Sequence, residues 1–294
     1  MRWRNMRRSS NVEDVRGARR GGGRAAGGIG IGGIVIALLA SLIFGVDPST
    51  VLVGLQQGGG IAPPAEVQVA PIGDRDSDFV KAVLGDTEDT WGRIFPQQIG
   101  RPYEPPRLVL FSGAVDSACG FAEAAMGPFY CPRDRKVYLD MSFFQQVKAA
   151  AREDADFARA YAIAHEIGHH IQTVLGISEQ VNRLQSRSNE ATSNDLSVRQ
   201  ELQADCFAGV WGHSTAERGL VDDQAIKSAM ETAAQIGDDY LQYQARGYVV
   251  PDSFTHGSSE QRVTWFARGL KTGDVNQCDT FSTRQVEGFS NLRG

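Results

Sequence analysis

Histidine and cysteine are scarce in this chain of 294 residues, which contains only five histidines and four cysteines. No C-x-x-C pair occurs, and its absence argues against a structural zinc site made of cysteine pairs. No internal repeat is visible either, so nothing in the sequence indicates a solenoid. Hydrophobic residues make up 41% and charged residues 22% of the chain, which argues against disorder throughout and indicates a globular protein.

Positive charge is concentrated at one end of the chain. Residues 1–24 contain eight arginines and two acidic residues and carry a charge of +6, whereas the rest of the chain carries −11 and the whole chain −5. An acidic body argues against a protein that binds nucleic acid. The basic tail instead suits an anionic membrane surface.

Charge is absent between residues 25 and 46, a run of 22 positions. A helix of this length spans about 30 Å, so the segment predicts a transmembrane anchor. Because the arginines precede it, the positive-inside rule places residues 1–24 in the cytoplasm as a basic tail and the rest of the chain outside. A cleaved signal peptide is the alternative, but the basic region is long and no A-x-A site follows. A buried core helix fits the flanking charges less well.

Residues 47–74 mix glycine, proline and small apolar residues and predict a linker, so the folded domain is expected at residues 75–294. Strands are predicted in the segments PPRLVLFSG and KVYLD, the latter at residues 136–140. Because most helices follow the strands without βαβ alternation, the predicted fold class is α+β, mostly helical with a small sheet. Apolar spacing predicts helices near residues 77–95, 143–151, 154–175, 194–213, 222–237 and 258–271.

All four cysteines follow the predicted anchor, where an oxidising compartment favours two disulfides. Three connectivities are possible. Pairing the near cysteines, Cys119 with Cys131, closes a short loop and leaves Cys206 to pair with Cys278. A zinc site made of the four cysteines is the alternative.

The segment AYAIAHEIGHHIQ carries His165, Glu166 and His169 as an H-E-x-x-H motif. Residues four apart lie on one face of a helix, so both imidazoles can bind one metal ion. Glu166 is rotated by about 100° and lies beside the ion, where its carboxylate can take a proton from a metal-bound water. Two histidines that share a packed helix by chance are the alternative, but the low histidine content makes an accidental motif rare.

A catalytic zinc site also needs a third protein ligand and an open position for water. The segment VRQELQADCFAGVWGH supplies Glu201 as the third ligand. Asp205 lies four residues on, on the same helix face, and can accept the free N–H of a ligand imidazole. A solvated acidic face is the alternative, but the surrounding residues are largely apolar and buried acids need partners.

The remaining histidines and one arginine have weaker assignments. His170 points about 100° away from the ion and is interpreted as structural, and His213 suits a helix C-terminus. His256 lies in a loop before a helix start and is a candidate catalytic residue that stabilises the oxyanion, although a purely structural role fits the sequence equally. Arg262 either pairs with an acid of the domain or contacts substrate.

The predicted strand KVYLD precedes the H-E-x-x-H helix. Zinc endopeptidases commonly hold extended substrate by adding it to an exposed strand edge above the metal, and this strand has the matching order along the chain. A core strand without contact to substrate is the alternative.

Long segments of the chain resemble the bacterial family of putative neutral zinc metallopeptidases. The matching segments are GPFYCPRDRKVYLD, AYAIAHEIGHHIQ, RQELQADCFAGVW, IGDDYLQ and PDSFTHGSSEQRVTWFARG, together with the basic start MRWRNMRRSSNVEDVRG. The resemblance implies a gluzincin-type zincin fold with Zn²⁺ as cofactor. It also implies His165, His169 and Glu201 as zinc ligands, Glu166 as the catalytic base and Asp205 as the acid behind the ligands.

The combined expectation is a membrane-anchored zinc metalloprotease that hydrolyses peptide bonds of a peptide or protein substrate. The single-pass anchor is expected in the bacterial inner membrane, with the catalytic domain in the periplasm or at the cell exterior. One alternative is a zinc-stabilised binding or chaperone-like module of the cell envelope without proteolytic activity. Another is a metal site that only holds helices together.

Overall fold

The computed structural model describes residues 1–16, 74–123, 127–141 and 155–282. Within them, six strands and seven helices longer than one turn form an α+β fold that is mostly helical. The strands are β1 Val12–Asp14, β2 Arg107–Phe111, β3 Ala114–Ser117, β4 Gly120–Glu123, β5 Phe129–Cys131 and β6 Lys136–Asp140. The helices are α1 Asp74–Ile94, α2 Ala155–Val174, α3 Ile177–Gln185, α4 Glu190–Glu217, α5 Asp223–Gln235, α6 Asp238–Arg246 and α7 Ser259–Thr272.

The main sheet has the strand order β1-β2-β6-β5. β1, β2 and β6 run parallel, whereas β5 is antiparallel to β6. β6 is therefore a central strand, and Val137, Leu139 and Asp140 on it are almost fully buried. The prediction that KVYLD offers an exposed edge to substrate is wrong, because β2 and β5 occupy both of its edges. β3 and β4 form a separate antiparallel pair.

Helix α4 is the central helix of the domain and packs against both α2 and α7. Gly209 on α4 and Gly269 on α7 allow the two backbones to touch, since an added Cβ would lie 2.1 Å and 2.0 Å from backbone oxygens of the opposite helix. Local capping fixes where these helices begin. The Asn189 side chain accepts a hydrogen bond from the Thr192 N–H at the start of α4, and Ser258 begins a capping box at the start of α7.

Most predicted elements agree with the structure. Helices near residues 77–95, 154–175, 222–237 and 258–271 correspond to α1, α2, α5 and α7, and both predicted strands are present. Helix α4 is longer than predicted at both ends, and α3, α6 and four short strands were not predicted. Strands of three or four residues carry too few residues for an alternating pattern to be read from sequence.

Two disulfides join Cys119 to Cys131 and Cys206 to Cys278, so the predicted pairing is confirmed. No cysteine is left for a zinc site. The first disulfide holds the end of β5 to the turn between β3 and β4, and the second holds α4 to the short helix that follows α7. Each therefore fixes an element that borders the candidate site described below.

The N-terminal residues 1–16 lie on the domain, where the sequence predicted a tail separated from it by a membrane. β1 pairs with β2, and Trp3 is only 3% exposed against α1. The difference arises because Trp3, Met6 and Ser9 are buried by contacts with residues distant in the sequence. The charge composition of residues 1–24 gives no information about such contacts.

Several sequence-based predictions lie outside the described residues. These are the anchor at residues 25–46, the linker up to residue 73 and the helix at residues 143–151. In the part of the chain that the structure describes, no helix combines the length and the apolar character needed to cross a bilayer.

Candidate metal centre

Helices α2 and α4 bring three potential metal ligands together. His165 and His169 project from α2, and Glu201 faces them from α4. The His165 Nε2 atom lies 3.1 Å from Glu201 Oε2, and the His169 Nε2 atom lies 3.4 Å from Glu201 Oε1. One donor atom from each residue lies within 4.8 Å of the others. Two imidazole nitrogens and one carboxylate oxygen at this separation match the donor set of a catalytic zinc site.

The close approach of α2 and α4 depends on Gly168, which lies between the two histidines. A Cβ at this position would lie 2.8 Å from the carbonyl oxygen of Ala204 and 2.9 Å from its Cα atom. Any larger residue therefore pushes the helices apart at the level of the ligands. The glycine within H-E-I-G-H is thus a structural requirement of the site, which the sequence alone did not reveal.

Asp205 orients His165 from behind. Its Oδ1 atom accepts hydrogen bonds from His165 Nδ1–H at 2.8 Å and from the Tyr161 hydroxyl at 2.5 Å. Arg262 donates two hydrogen bonds to the same carboxylate, from Nε at 2.8 Å and from Nη2 at 3.0 Å. Asp205 is fully buried and Arg262 is 3% exposed. The bond to Nδ1 leaves Nε2 of His165 as the ligand atom that faces Glu201.

Gln172 orients His169 in the same way. Its Oε1 atom accepts a hydrogen bond from His169 Nδ1–H at 2.9 Å, while its amide group donates to Gln200 O at 2.6 Å and to Gln203 Oε1 at 3.1 Å. Gln172 is fully buried. Sequence reasoning missed this residue, although its position three residues after His169, on the same helix face, was a usable signal.

The two glutamates of the site have opposite electrostatic environments. Burial alone would raise the pKa of Glu201, but the adjacent His169 and His165 lower it well below its usual value, so the side chain is a carboxylate. Burial raises the pKa of Glu166, and the nearby histidines and the Tyr130 backbone N–H only partly oppose the rise. An ionised ligand beside a more basic carboxylate is the arrangement expected for a metal ligand and a general base.

His170 and His213 have structural partners. His170 donates from Nε2–H to the Glu104 carbonyl at 2.7 Å and accepts from the Tyr130 hydroxyl at 3.2 Å, so it connects α2 to β5. Burial lowers the pKa of His170 to about 4. His213 donates to the Leu270 carbonyl at 2.8 Å, one turn before the end of α4 rather than at its end.

His256 is held in place by Asp238 at the start of α6. The backbone N–H groups of Thr255, His256 and Gly257 all donate to Asp238 Oδ2, at 2.7, 2.6 and 3.1 Å. His256 Nδ1 lies 3.2 Å from Asp238 Oδ1. Burial lowers the pKa of His256, but Asp238 and the more distant charge of Glu201 raise it above its usual value. The loop packs against α4 next to Glu201, since an added Cβ on Gly257 would lie 3.1 Å from the Leu202 side chain.

The sheet edge beside the centre belongs to β5, whereas β6 lies inside the sheet. β5 is the end strand of the main sheet among the described residues, and it contacts α2. Its Tyr130 backbone N–H faces the Glu166 carboxylate. An extended chain added to this edge therefore lies next to the candidate base.

Comparison with known proteins identifies the family of the chain. The family model described as putative neutral zinc metallopeptidase matches residues 1–281. The chain is 45% identical to the uncharacterized protein YpfJ of Escherichia coli K12, over 96% of this chain and 99% of that protein. It is 39% identical to the uncharacterized protein Rv2575 of Mycobacterium tuberculosis, over 84% of this chain and 86% of that protein. No solved structure matches the chain. The chain belongs to the putative neutral zinc metallopeptidase family, whose cofactor is zinc.

Proposed function

We propose that this protein hydrolyses peptide bonds with zinc held by His165, His169 and Glu201. The observation that carries the proposal is the convergence of the three donor atoms within 4.8 Å, beside a glutamate that is not needed as a ligand. Zinc in such a site lowers the pKa of a bound water to about 7 and polarises the carbonyl of the substrate.

Glu166 is the proposed general base. Its raised pKa suits a group that takes a proton from the attacking water and later delivers it to the leaving amine. His256 is the proposed oxyanion stabiliser, since Asp238 favours its protonated form and fixes the loop that carries it. Asp205 and Gln172 keep the two ligand imidazoles in the tautomer that presents Nε2 to the ion.

The substrate is proposed to be an extended peptide that adds to the edge of β5 on which the described residues place no other strand. Main-chain hydrogen bonds to a strand edge hold a peptide with little dependence on its side chains. The edge at Phe129–Cys131 lies beside Glu166, and the Cys119–Cys131 disulfide anchors its end.

We also propose that residues 25–46 attach the protein to the bacterial inner membrane with the catalytic domain on the extracytoplasmic side. Their 22 uncharged positions support attachment. The two disulfides suit an oxidising compartment.

The test is to purify the full-length protein, measure its zinc content and assay cleavage of a broad peptide library. Three variants are compared: Glu166→Gln, Glu201→Gln and, as a matched control, Glu231→Gln on the exposed surface of α5. Glu166→Gln is expected to keep zinc and lose cleavage, and Glu201→Gln to lose both. The control is expected to behave as the wild type.

Cleavage that survives in Glu166→Gln contradicts the proposed base. Full zinc content with no cleavage by the wild-type protein favours the alternative of a zinc-stabilised binding module. A protein that unfolds when zinc is chelated and shows no cleavage favours a purely structural metal site.

A further inference from the structure

Residues 1–16 make the kind of contacts found inside a domain rather than those of a tail. The Trp3 ring packs edge-on against Phe79 of α1 with 5.4 Å between centroids, and its indole N–H donates to Asp156 of α2 at 3.0 Å. The Arg2 N–H donates to the Leu220 carbonyl after α4 at 2.7 Å. The segment therefore contacts three separate parts of the catalytic domain.

Complementary charges fix the register of the segment along α1. Arg8 forms two hydrogen bonds to the Asp78 carboxylate, at 2.8 and 2.6 Å. Almost three turns further along α1, Glu88 accepts bonds from Arg7 at 2.7 Å, from the Ser9 hydroxyl at 2.5 Å and from the side chain of Asn11 at 2.8 Å. Two of the eight arginines that suggested a tail on an anionic membrane, Arg7 and Arg8, are thus paired with acids of the domain.

Backbone contacts complete the attachment. β1 extends the main sheet through parallel pairing with β2, and Leu108 N–H donates to the Asn11 carbonyl at 2.8 Å. At Gly85 of α1 an added Cβ would lie 2.4 Å from the Arg7 carbonyl oxygen, so the helix surface is shaped to receive this segment. Such complementarity indicates a permanent part of the fold.

We infer that residues 1–16 and residues 74–282 lie on the same side of the membrane. Residues 25–46 therefore do not form a single crossing of the bilayer. A bilayer core is about 30 Å thick, whereas the contacts above require hydrogen bonds of 2.5 to 3.0 Å. A single crossing between them separates the two groups and breaks every one of these contacts. The conclusion also holds if residues 1–16 of one copy dock on a second copy with the same orientation in the membrane, because the domains of both copies then lie on one side.

The consequence is that any membrane attachment through residues 25–46 begins and ends on the side that holds the catalytic domain. This inference goes beyond the proposed activity and does not depend on it. It replaces the predicted single-pass arrangement, in which residues 1–24 are a cytoplasmic tail. It also weakens the positive-inside rule as a guide to orientation, because Arg7 and Arg8 are bound to acids of the domain.

Cysteine accessibility in bacterial spheroplasts tests the inference. Because all four native cysteines are in disulfides, a single engineered thiol is the only reactive one. Ser10→Cys and Ala191→Cys each place an exposed thiol in one of the two parts. The probe is a membrane-impermeant maleimide, added before and after lysis, with the wild-type protein as background. Both variants are expected to be labelled under the same condition. Labelling of one before lysis and the other only after lysis overturns the inference.

Thermal unfolding of the purified full-length protein tests the docking itself. Trp3→Ala is expected to lower Tm by roughly 5–15 °C because a buried aromatic side chain is lost. Asn5→Ala is the matched control, since Asn5 is exposed on the same segment, and its Tm is expected to stay at the wild-type value. Equal Tm values for Trp3→Ala and wild type indicate a detached tail and overturn the inference.

Discussion

Replacing Asp205 with asparagine tests the buried network behind the metal centre. The Asp205 carboxylate accepts four hydrogen bonds, one each from Tyr161 and His165 and two from Arg262. Asparagine keeps the shape but removes the charge and turns one acceptor oxygen into a donor group. The change therefore leaves the buried Arg262 without its counter-charge and one of the donors without an acceptor.

Two separate losses are expected from Asp205→Asn. Removing one partner of a buried ion pair costs about 3–5 kcal/mol of unfolding free energy, because Arg262 is 3% exposed and cannot turn to solvent. Weakening the bond that orients a ligand imidazole lowers metal affinity by roughly 10- to 100-fold. The first loss concerns the fold and the second the metal.

A double variant separates them. Adding Arg262→Met to Asp205→Asn removes the unpaired charge and is expected to recover much of the lost stability, while zinc affinity stays low because His165 still lacks its carboxylate partner. Stability is measured by unfolding of the metal-free protein in the presence of a chelator, since bound zinc adds its own stabilisation. Zinc affinity is measured by competition with a chromogenic chelator.

The outcomes distinguish the two roles. If Asp205→Asn binds zinc with wild-type affinity, Asp205 does not orient a metal ligand. If the double variant is as unstable as the single one, the loss of stability does not come from the uncompensated charge of Arg262. Either result refutes the corresponding part of the reasoning.

Three further predictions concern packing, pH and disulfides. Gly168→Ala is expected to lower zinc affinity because its Cβ would lie 2.8 Å from a backbone oxygen of α4. Gly92→Ala is the control and is expected to keep the wild-type affinity, because its Cβ meets no atom within 4 Å. Equal zinc affinities of the two variants contradict this account. The pKa of His170 is lowered to about 4 in the fold, so the unfolded chain binds the extra proton and stability falls, by as much as about 3 kcal/mol, as pH drops from about 6.5 towards 4. His170→Gln should flatten this part of the stability-pH curve, and an unchanged curve rules out His170 as its source. Replacing Cys206 and Cys278 by serine is expected to lower the free energy of unfolding by about 4 kcal/mol, because the disulfide joins residues separated by 72 positions. Removing the other disulfide, with a separation of 12, is expected to lower it by about 3 kcal/mol. The reverse order in unfolding experiments contradicts the loop-entropy argument.

Helical spacing explains why the central part of the site could be predicted from sequence. His165 and His169 on α2, and Glu201 and Asp205 on α4, are each four residues apart, so one helix turn places each pair on a common face. The acids on an apolar helix needed partners, and the histidines were the available ones. The structure brings these residues together with the predicted direction for each side chain.

Other parts of the site depend on contacts that no local pattern encodes. Arg262 had two alternative partners in the sequence, and the packing of α7 against α4 places it on Asp205. The choice of β5 over β6 as the edge beside Glu166 follows from the order of strands in the sheet, which parallel pairing of β2 with β6 sets. Periodicity within one strand carries no information about its neighbours.

The chemistry of the site can be predicted from the sequence alone: a pair of imidazoles and a glutamate on one helix, a further pair of acids on another, and two disulfides. These follow from residue type and from spacing within single helices. The partners across the chain become visible only in the folded domain, among them Gln203 behind Gln172, Arg262 on Asp205 and the first sixteen residues on α1 and β2. The physical reason is that hydrogen bonds and apolar burial act over a few ångströms, and the residues that meet at such distances are set by how the helices and strands pack.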